Sequence, residues 1–275
     1  MHFQRDGQWE TIDNTLEPVT LANGSQGWRN RANDFSVSFA QNFDSDALVT
    51  VESAGHSLSW RFIPTSEWSE AALALVQEAV RSAETELGTT EESREDETTE
   101  SPRTSADLVQ TLPIGGAAAN LLVQERSIGL TDEERDHMLR FPLELGSEIE
   151  YLDSATGLSV RYALFGKSLR ELITLYERPD APVAYAVELT NTNLIPTAEN
   201  GQIIFRDLAG NDVFRISQPI IYDAAAEECL ALGELVETEN GGYQYIPMFP
   251  IAAAQYMRRT PTLPIRTTTR AAALS

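Results

Sequence analysis

Residues 147–222 read SEIEYLDSATGLSVRYALFGKSLRELITLYERPDAPVAYAVELTNTNLIPTAENGQIIFRDLAGNDVFRISQPIIY. Leu158, Val160, Tyr162 and Leu164 alternate with Ser159, Arg161, Ala163 and Phe165. Val183, Tyr185, Val187 and Leu189 alternate with Ala184, Ala186, Glu188 and Thr190. Side chains on a strand point to opposite faces with period two, so this pattern predicts strands with one face on a core. Gly201–Arg206 and Asp212–Ile216 flank a Gly-containing loop, which predicts a hairpin. Gly, Pro, Asn and Asp cut the other runs, and no residue in the stretch stands out as built for chemistry. A chain made mainly of such strands points to a scaffold or binding module ahead of an enzyme.

The same alternation appears upstream. Phe35, Val37 and Phe39 alternate with Ser36 and Ser38; His56, Leu58, Trp60 and Phe62 alternate with Ser57, Ser59 and Arg61. Asn23-Gly24, Asn33-Asp34, Asp44-Ser45-Asp46 and Ala54-Gly55 supply the turns. Pro64 ends the last strand. The Ala- and Leu-rich run from Ser66 predicts a helix fading near Gly88, capped by Thr65 or Ser66. Glu84–Asp107 holds nine acids and only Arg94 and Arg103 as bases. With almost no large apolar group it cannot offset its ordering entropy, and it reads as a disordered acidic insert. Leu108–Val123, broken by Pro113 and Gly115-Gly116, reads as a flexible connector. Thr131 with Glu134 fits a capping box opening a short helix.

The expected fold is therefore mainly β: antiparallel, sandwich-like strand clusters separated by one helix and the insert. The divisions are 1–63 (first β segment), 64–144 (helix and insert), 145–246 (second β segment) and 247–275 (tail). The two β segments are expected to pack as one domain, with two independent modules as the alternative. The tail differs in composition. The first 239 residues carry 42 acids and 16 bases; the last 36 carry four Arg and no acid. With Pro247, Pro250, Pro261 and Pro264, it reads as irregular, either disordered or translated out of frame from about Met248.

The 275 residues suffice for a sizeable core, and the lone Cys229 permits no intrachain disulfide. A net charge of −22 argues against nucleic acid and anionic membrane surfaces. No apolar run is long enough to span a bilayer. His2, His56 and His137 show no zinc-ligand spacing, and none lies near Cys229, so catalytic and metal residues are expected to be none, and cofactors likewise. Asp207 and Asp212 flank the predicted hairpin loop; turn formation is the first reading and Ca²⁺ binding the second. Trp9 and Trp60 are expected in the core. Trp28, between Gly27 and Arg29, is the best candidate for an exposed ligand platform.

Short blocks in a fixed order resemble a known family. They are Gly7-Gln8-Trp9, Ile12-Asp13-Asn14-Thr15-Leu16, Asn33-Asp34-Phe35, and Gly55-His56-Ser57-Leu58-Ser59-Trp60. After the insert come Ser147-Glu148-Ile149-Glu150-Tyr151, Gly157-Leu158-Ser159-Val160-Arg161-Tyr162, Leu169-Arg170-Glu171-Leu172-Ile173, Asn200–Asp207, Gly210–Ile216 and Pro219–Asp223. The chain resembles the N-terminal β-rich region of secreted bacterial RHS/YD-repeat, wall-associated and DNRLRE-domain surface proteins. Ser159 stands where that family has Asp, and Arg170 where it has Lys.

The resemblance implies a fragment of a longer secreted protein, extracellular or at the cell surface, acting as a non-catalytic display module. Its implied partners are the other domains of the same longer chain and a cell-wall or surface polymer. A carbohydrate-binding or adhesive module, calcium-assisted or not, is the alternative; a cell-wall hydrolase comes third.

Overall fold

The computed structural model describes residues 2–88, 110–111, 120–124, 148–153, 158–175, 183–222, 228–248 and 265–273. The strands before the helix are β1 (His2–Arg5), β2 (Gln8–Thr11), β3 (Asp13–Thr20), β4 (Gln26–Ala32), β5 (Ser36–Ala40), β6 (Val49–Ser53) and β7 (His56–Ile63). A 3-10 turn at Thr65–Glu67 leads into helix α1 (Glu70–Gly88). Beyond it come β8 (Gln110–Thr111), β9 (Asn120–Gln124), β10 (Glu148–Asp153), β11 (Leu158–Phe165), β12 (Ser168–Leu175), β13 (Val183–Ala184), β14 (Ala186–Asn191) and β15 (Ile195–Glu199). The remainder are β16 (Gln202–Arg206), β17 (Asp212–Ile216), β18 (Ile220–Tyr222), β19 (Glu228–Leu230), β20 (Leu232–Glu237), β21 (Tyr243–Met248) and β22 (Ile265–Ala273).

The molecule is mainly β, antiparallel apart from the β8–β13 pair, with one α-helix among the described residues. One sheet runs β3-β4-β5-β6-β7-β14-β21, with β20 on β21. The other runs β15-β16-β17-β22-β12-β11-β10-β9. The β7–β14 seam places Trp60 opposite Leu189 and Phe62 opposite Val187, so strands from both sides of the insert share one sheet. Pro18 and Pro196 fall in β3 and β15, at sheet edges, where a missing N–H costs no ladder bond.

The period-two pattern sets the layers. Val37, Phe39 and Leu58 from one sheet, with Leu48 just before β6, meet Ile149, Tyr162, Leu164, Ile173 and Phe205 from the other in a single apolar cluster. Aromatic contacts join the sheets: Phe39 to Tyr162 at 5.6 Å, Trp60 to Tyr162 at 6.2 Å and Phe43 to Tyr151 at 5.4 Å. Such pairs contribute roughly 0.5–1.5 kcal/mol each beyond area burial.

The small residues on the other face of β13 and β14 have their own use. Ala184 and Ala186 are buried against α1, with Ile63, Ile246, Trp68, Ala72 and Val76. Ala72 and Val76 lie one turn apart on the same helix face, and Trp68, in extended conformation just before the cap, packs with them. The helix is capped by Ser69, not by Thr65 or Ser66: its Oγ accepts from Ala72 N at 3.2 Å. Buried Gln244 holds the approach to the helix, accepting from Ser69 N at 2.9 Å and donating to the Glu67 carbonyl at 3.0 Å.

Two expectations are corrected here. The segment Leu108–Val123, read as a flexible connector, contributes β8 and β9; the apolar run Leu121-Leu122-Val123 pairs with β10. The tail, read as irregular or disordered, contributes β22 over Ile265–Ala273, paired with β12, β17 and β18. The β-branched run Thr267-Thr268-Thr269 suits a ladder position. Residues 89–109, where most of the acidic insert lies, the Thr131–His137 helix and residues 249–264 fall outside the described residues.

Gly27 shows how close the β4–β5 packing is. A Cβ there would lie 2.4 Å from the Phe39 carbonyl oxygen and 2.8 Å from Leu21 Cδ1. Gly27→Ala is expected to destabilise the fold by at least about 2 kcal/mol, because backbone must move. Chemical denaturation would check this, and an unchanged midpoint would show that the contact relaxes freely.

Candidate functional site

The motif residues converge on the interface between the sheets. At one end, Gly166 sits in the β11–β12 turn with φ +50°. Its carbonyl accepts from Asn33 Nδ2 at 2.7 Å and from Asn14 Nδ2 at 3.1 Å, and Asn33 Nδ2 also lies 2.9 Å from Asn14 Oδ1. Both amides are buried. Asp34, next in sequence, forms an ion pair with Lys167, the residue after Gly166. Arg5 Nη2 donates to the Asn33 carbonyl at 3.2 Å and ties the β1–β2 hairpin to the same spot. Further along, Tyr151 donates its hydroxyl to the Ala40 carbonyl at 2.5 Å.

The second cluster holds a carboxyl group inside the core. Trp60 Nε1 donates to Tyr162 Oη at 3.2 Å, and the Tyr162 hydroxyl donates to Glu171 Oε2 at 2.7 Å. Glu171 lies between Leu169 and Ile173 on the inward face of β12. Burial pushes its carboxyl up to about 7, against the lowering effect of hydrogen bonds from Tyr162, Trp60 and Tyr185. Burial likewise raises the Tyr162 hydroxyl well above its ordinary value, and the nearby Glu171 carboxylate adds to that. A cavity of about 30 Å³ adjoins Glu171 and Trp60, lined otherwise by apolar side chains and Tyr185 and Tyr245. Its size suits a single water, not a substrate.

A larger groove, about 580 Å³, lies where β1 faces β4 and the Asn33–Phe35 and Ser53–Ser57 turns. Three arginines line it, and each has an acidic neighbour. Arg5 meets Glu10 at 3.3 Å, Arg31 meets Asp13 at 2.8 Å and Glu17 at 2.7 Å, and Arg29 is 3.9 Å from Glu52. Ser36, Ser57 and His56 add hydroxyl and imidazole groups. The lining suits hydrogen bonding to a polar ligand.

The residues singled out from the sequence fall elsewhere. Trp28 is no exposed platform: it lies in β4 opposite Phe39 and Pro18, partly buried and packed on the core. Asp207 closes its own turn. Oδ1 accepts from Ala209 N at 2.9 Å and Asn211 N at 2.8 Å, and Oδ2 accepts from Asn211 Nδ2 at 2.9 Å. The Asn211 bonds hold its carboxyl below the ordinary range. Asp212 Oδ1 accepts from Arg206 Nε at 2.8 Å, and Arg206 is also paired with Glu199. The first reading, turn formation, accounts for the Asp207 contacts, whereas Asp212 is held in a cross-strand ion pair with Arg206. Calcium titration is accordingly expected to leave the melting temperature unchanged; a Ca²⁺-dependent rise lost in Asp207→Asn would contradict this. No group of three or more metal-ligating side chains occurs among the described residues.

Trp60 is buried as expected, but Trp9 is 72% exposed. It sits opposite Gln4 on a two-stranded hairpin that joins neither sheet, so no second layer covers it. The buried role of Glu171 was not drawn from the sequence, although its i±2 neighbours Leu169 and Ile173 carry the signal. No helix among the described residues is long and apolar enough to cross a membrane. Comparison with family models and with curated proteins found no match to this chain.

Proposed function

We propose that this chain is a non-catalytic structural and display module of a larger secreted or cell-surface protein, as its resemblance to RHS/YD-repeat and DNRLRE-domain proteins implies. One observation carries the reading: Asn14, Asn33, Asp34, Tyr151, Trp60, Tyr162 and Glu171, all within the resemblance motifs, bond across or beneath the sheet interface. A protein whose distinctive polar residues are spent on joining two layers is suited to holding shape. Its partners would be neighbouring domains of the same longer chain and a wall or surface polymer.

Protease shaving of intact source cells, followed by detection of peptides from residues 2–63 and 158–222, tests the location. The pure chain incubated with bacterial cell-wall polymer tests the rest: no soluble sugar or peptide fragments are expected. Fragment release abolished by Glu171→Gln would overturn the non-catalytic reading.

The groove and Trp9 favour a second reading, a carbohydrate-binding or adhesive surface. The groove's hydroxyl, imidazole and guanidinium groups can bond a sugar's edge, and Trp9, on the other face of its hairpin from the groove-lining Phe3 and Arg5, offers a separate exposed ring for stacking. Glycan-array binding lost in Trp9→Ala and Arg29→Ala, with melting temperature retained, would establish it. Trp28→Ala cannot serve, because that side chain packs on the core.

A further inference from the structure

Lys167 is the only lysine in the chain; the other nineteen basic residues are Arg. Its ammonium group meets the Asp34 carboxylate across the two sheets. The backbone around both partners is pinned. The Gly166 carbonyl takes hydrogen bonds from buried Asn33 and Asn14, and Asn33 Oδ1 accepts from Asp34 N at 2.8 Å. The Asp34 side chain is 19% exposed, and its Oδ1 is buried with no hydrogen-bond partner among the described residues. A carboxylate oxygen so placed is costly, whereas an amide carbonyl there carries no charge to desolvate. Arginine would serve an ion pair better, with its planar fork; lysine alone offers an amine that can be acylated.

We propose that Lys167 and Asp34 form an intramolecular isopeptide bond that staples the β11–β12 turn to the β4–β5 turn. The ammonium passes one proton to the carboxylate, giving a neutral amine and a carboxylic acid. The amine nitrogen attacks Cγ. The C–N bond forms, one C–O bond breaks, and the departing oxygen takes two protons to leave as water. The remaining oxygen becomes the amide carbonyl. One Lys–NH₃⁺ and one Asp–COO⁻ thus give one amide and one water, with no oxidant, cofactor or external acyl donor. Fixed contact between the two groups supplies the effective concentration that free amine and acid lack in water.

Intact-mass measurement of the purified full chain under denaturing conditions tests this. The expected mass is one water below the sequence mass, restored to the full value in both Lys167→Arg and Asp34→Ala, which lack an amine to acylate and a carboxyl to attack; the reading needs no folded variant. Trypsin should yield Ala32–Arg61 covalently joined to Tyr162–Arg170, uncut after the acylated Lys167. A wild-type chain of full sequence mass, with Lys167 modified by an amine reagent after denaturation, overturns the proposal and leaves an ion pair only. Loss of one water mapped to any other pair overturns it equally.

Discussion

Replacing Glu171 with Gln is expected to stabilise the protein by roughly 3 kcal/mol at pH 8 and to change little at pH 4. The carboxyl is raised from 4.5 to about 7 in the folded state, chiefly by burial. Between those values the folded chain keeps a proton that the unfolded chain has released. Stability from this group is complete below pH 4.5 and is lost as pH rises through 7. Above 7 the core holds a carboxylate among Trp60, Tyr162, Tyr185 and Tyr245, with the Tyr162 hydroxyl bond as partial compensation. Glutamine keeps an acceptor for Tyr162 and carries no charge, so the pH dependence vanishes with the carboxyl. Urea unfolding followed by Trp fluorescence at pH 4, 6 and 8 would show a falling wild-type curve and a flatter variant curve. Parallel curves would mean that Glu171 is ionised and well solvated in the folded protein. Asp13, Glu199 and Asp207, held low by their hydrogen bonds, act in the opposite sense and favour the fold above their unfolded values. They are exposed or nearly so, hence weak.

Asn33 is the second point of large effect. Asn33→Ala removes bonds to the Gly166 carbonyl and to Asn14 Oδ1, and unmakes the Asp34 N contact. Leaving such groups buried and short of partners costs about 2–4 kcal/mol. Asn33→Asp should cost more. It retains the acceptor for Asp34 N but sets a carboxylate oxygen against the Gly166 carbonyl and Asn14 Oδ1, two acceptors, in a buried site. The order wild type, Ala, Asp in denaturation midpoint is therefore expected. Asp equal to wild type would mean that water reaches this end of the interface.

Both effects concern residues whose motifs were readable and whose roles were not. Period-two alternation in β7, β11 and β14 was enough to place Leu58, Tyr162 and Val187 inward, and the breakers placed the turns. Helix α1 followed from Pro64 and the Ala-rich run, but its cap moved to Ser69 because the chain spends Thr65–Glu67 on a 3-10 turn. Sequence distance concealed the rest. Asn14 and Gly166 are 152 residues apart, and Trp60 and Tyr162 are 102 apart, so no local pattern announces their bonds. The tryptophans exchanged places for a topological reason. Trp28 lies in a central strand beneath the second sheet, whereas Trp9 lies on a hairpin that no layer covers. The tail's acid-free, proline-punctuated composition masks the strand signal of its threonines, which pair in a ladder.

The segments before and after the insert stabilise each other as one body, through a common core and polar bonds between the sheets. Native-state hydrogen exchange of the full chain, followed by mass spectrometry in increasing denaturant, reads this directly. Amides of β5–β7 and of β11–β12 are expected to converge on the same opening free energy and to lose protection together. Protection of one group surviving after the other has fully exchanged would contradict the claim and divide the molecule into two independent β modules.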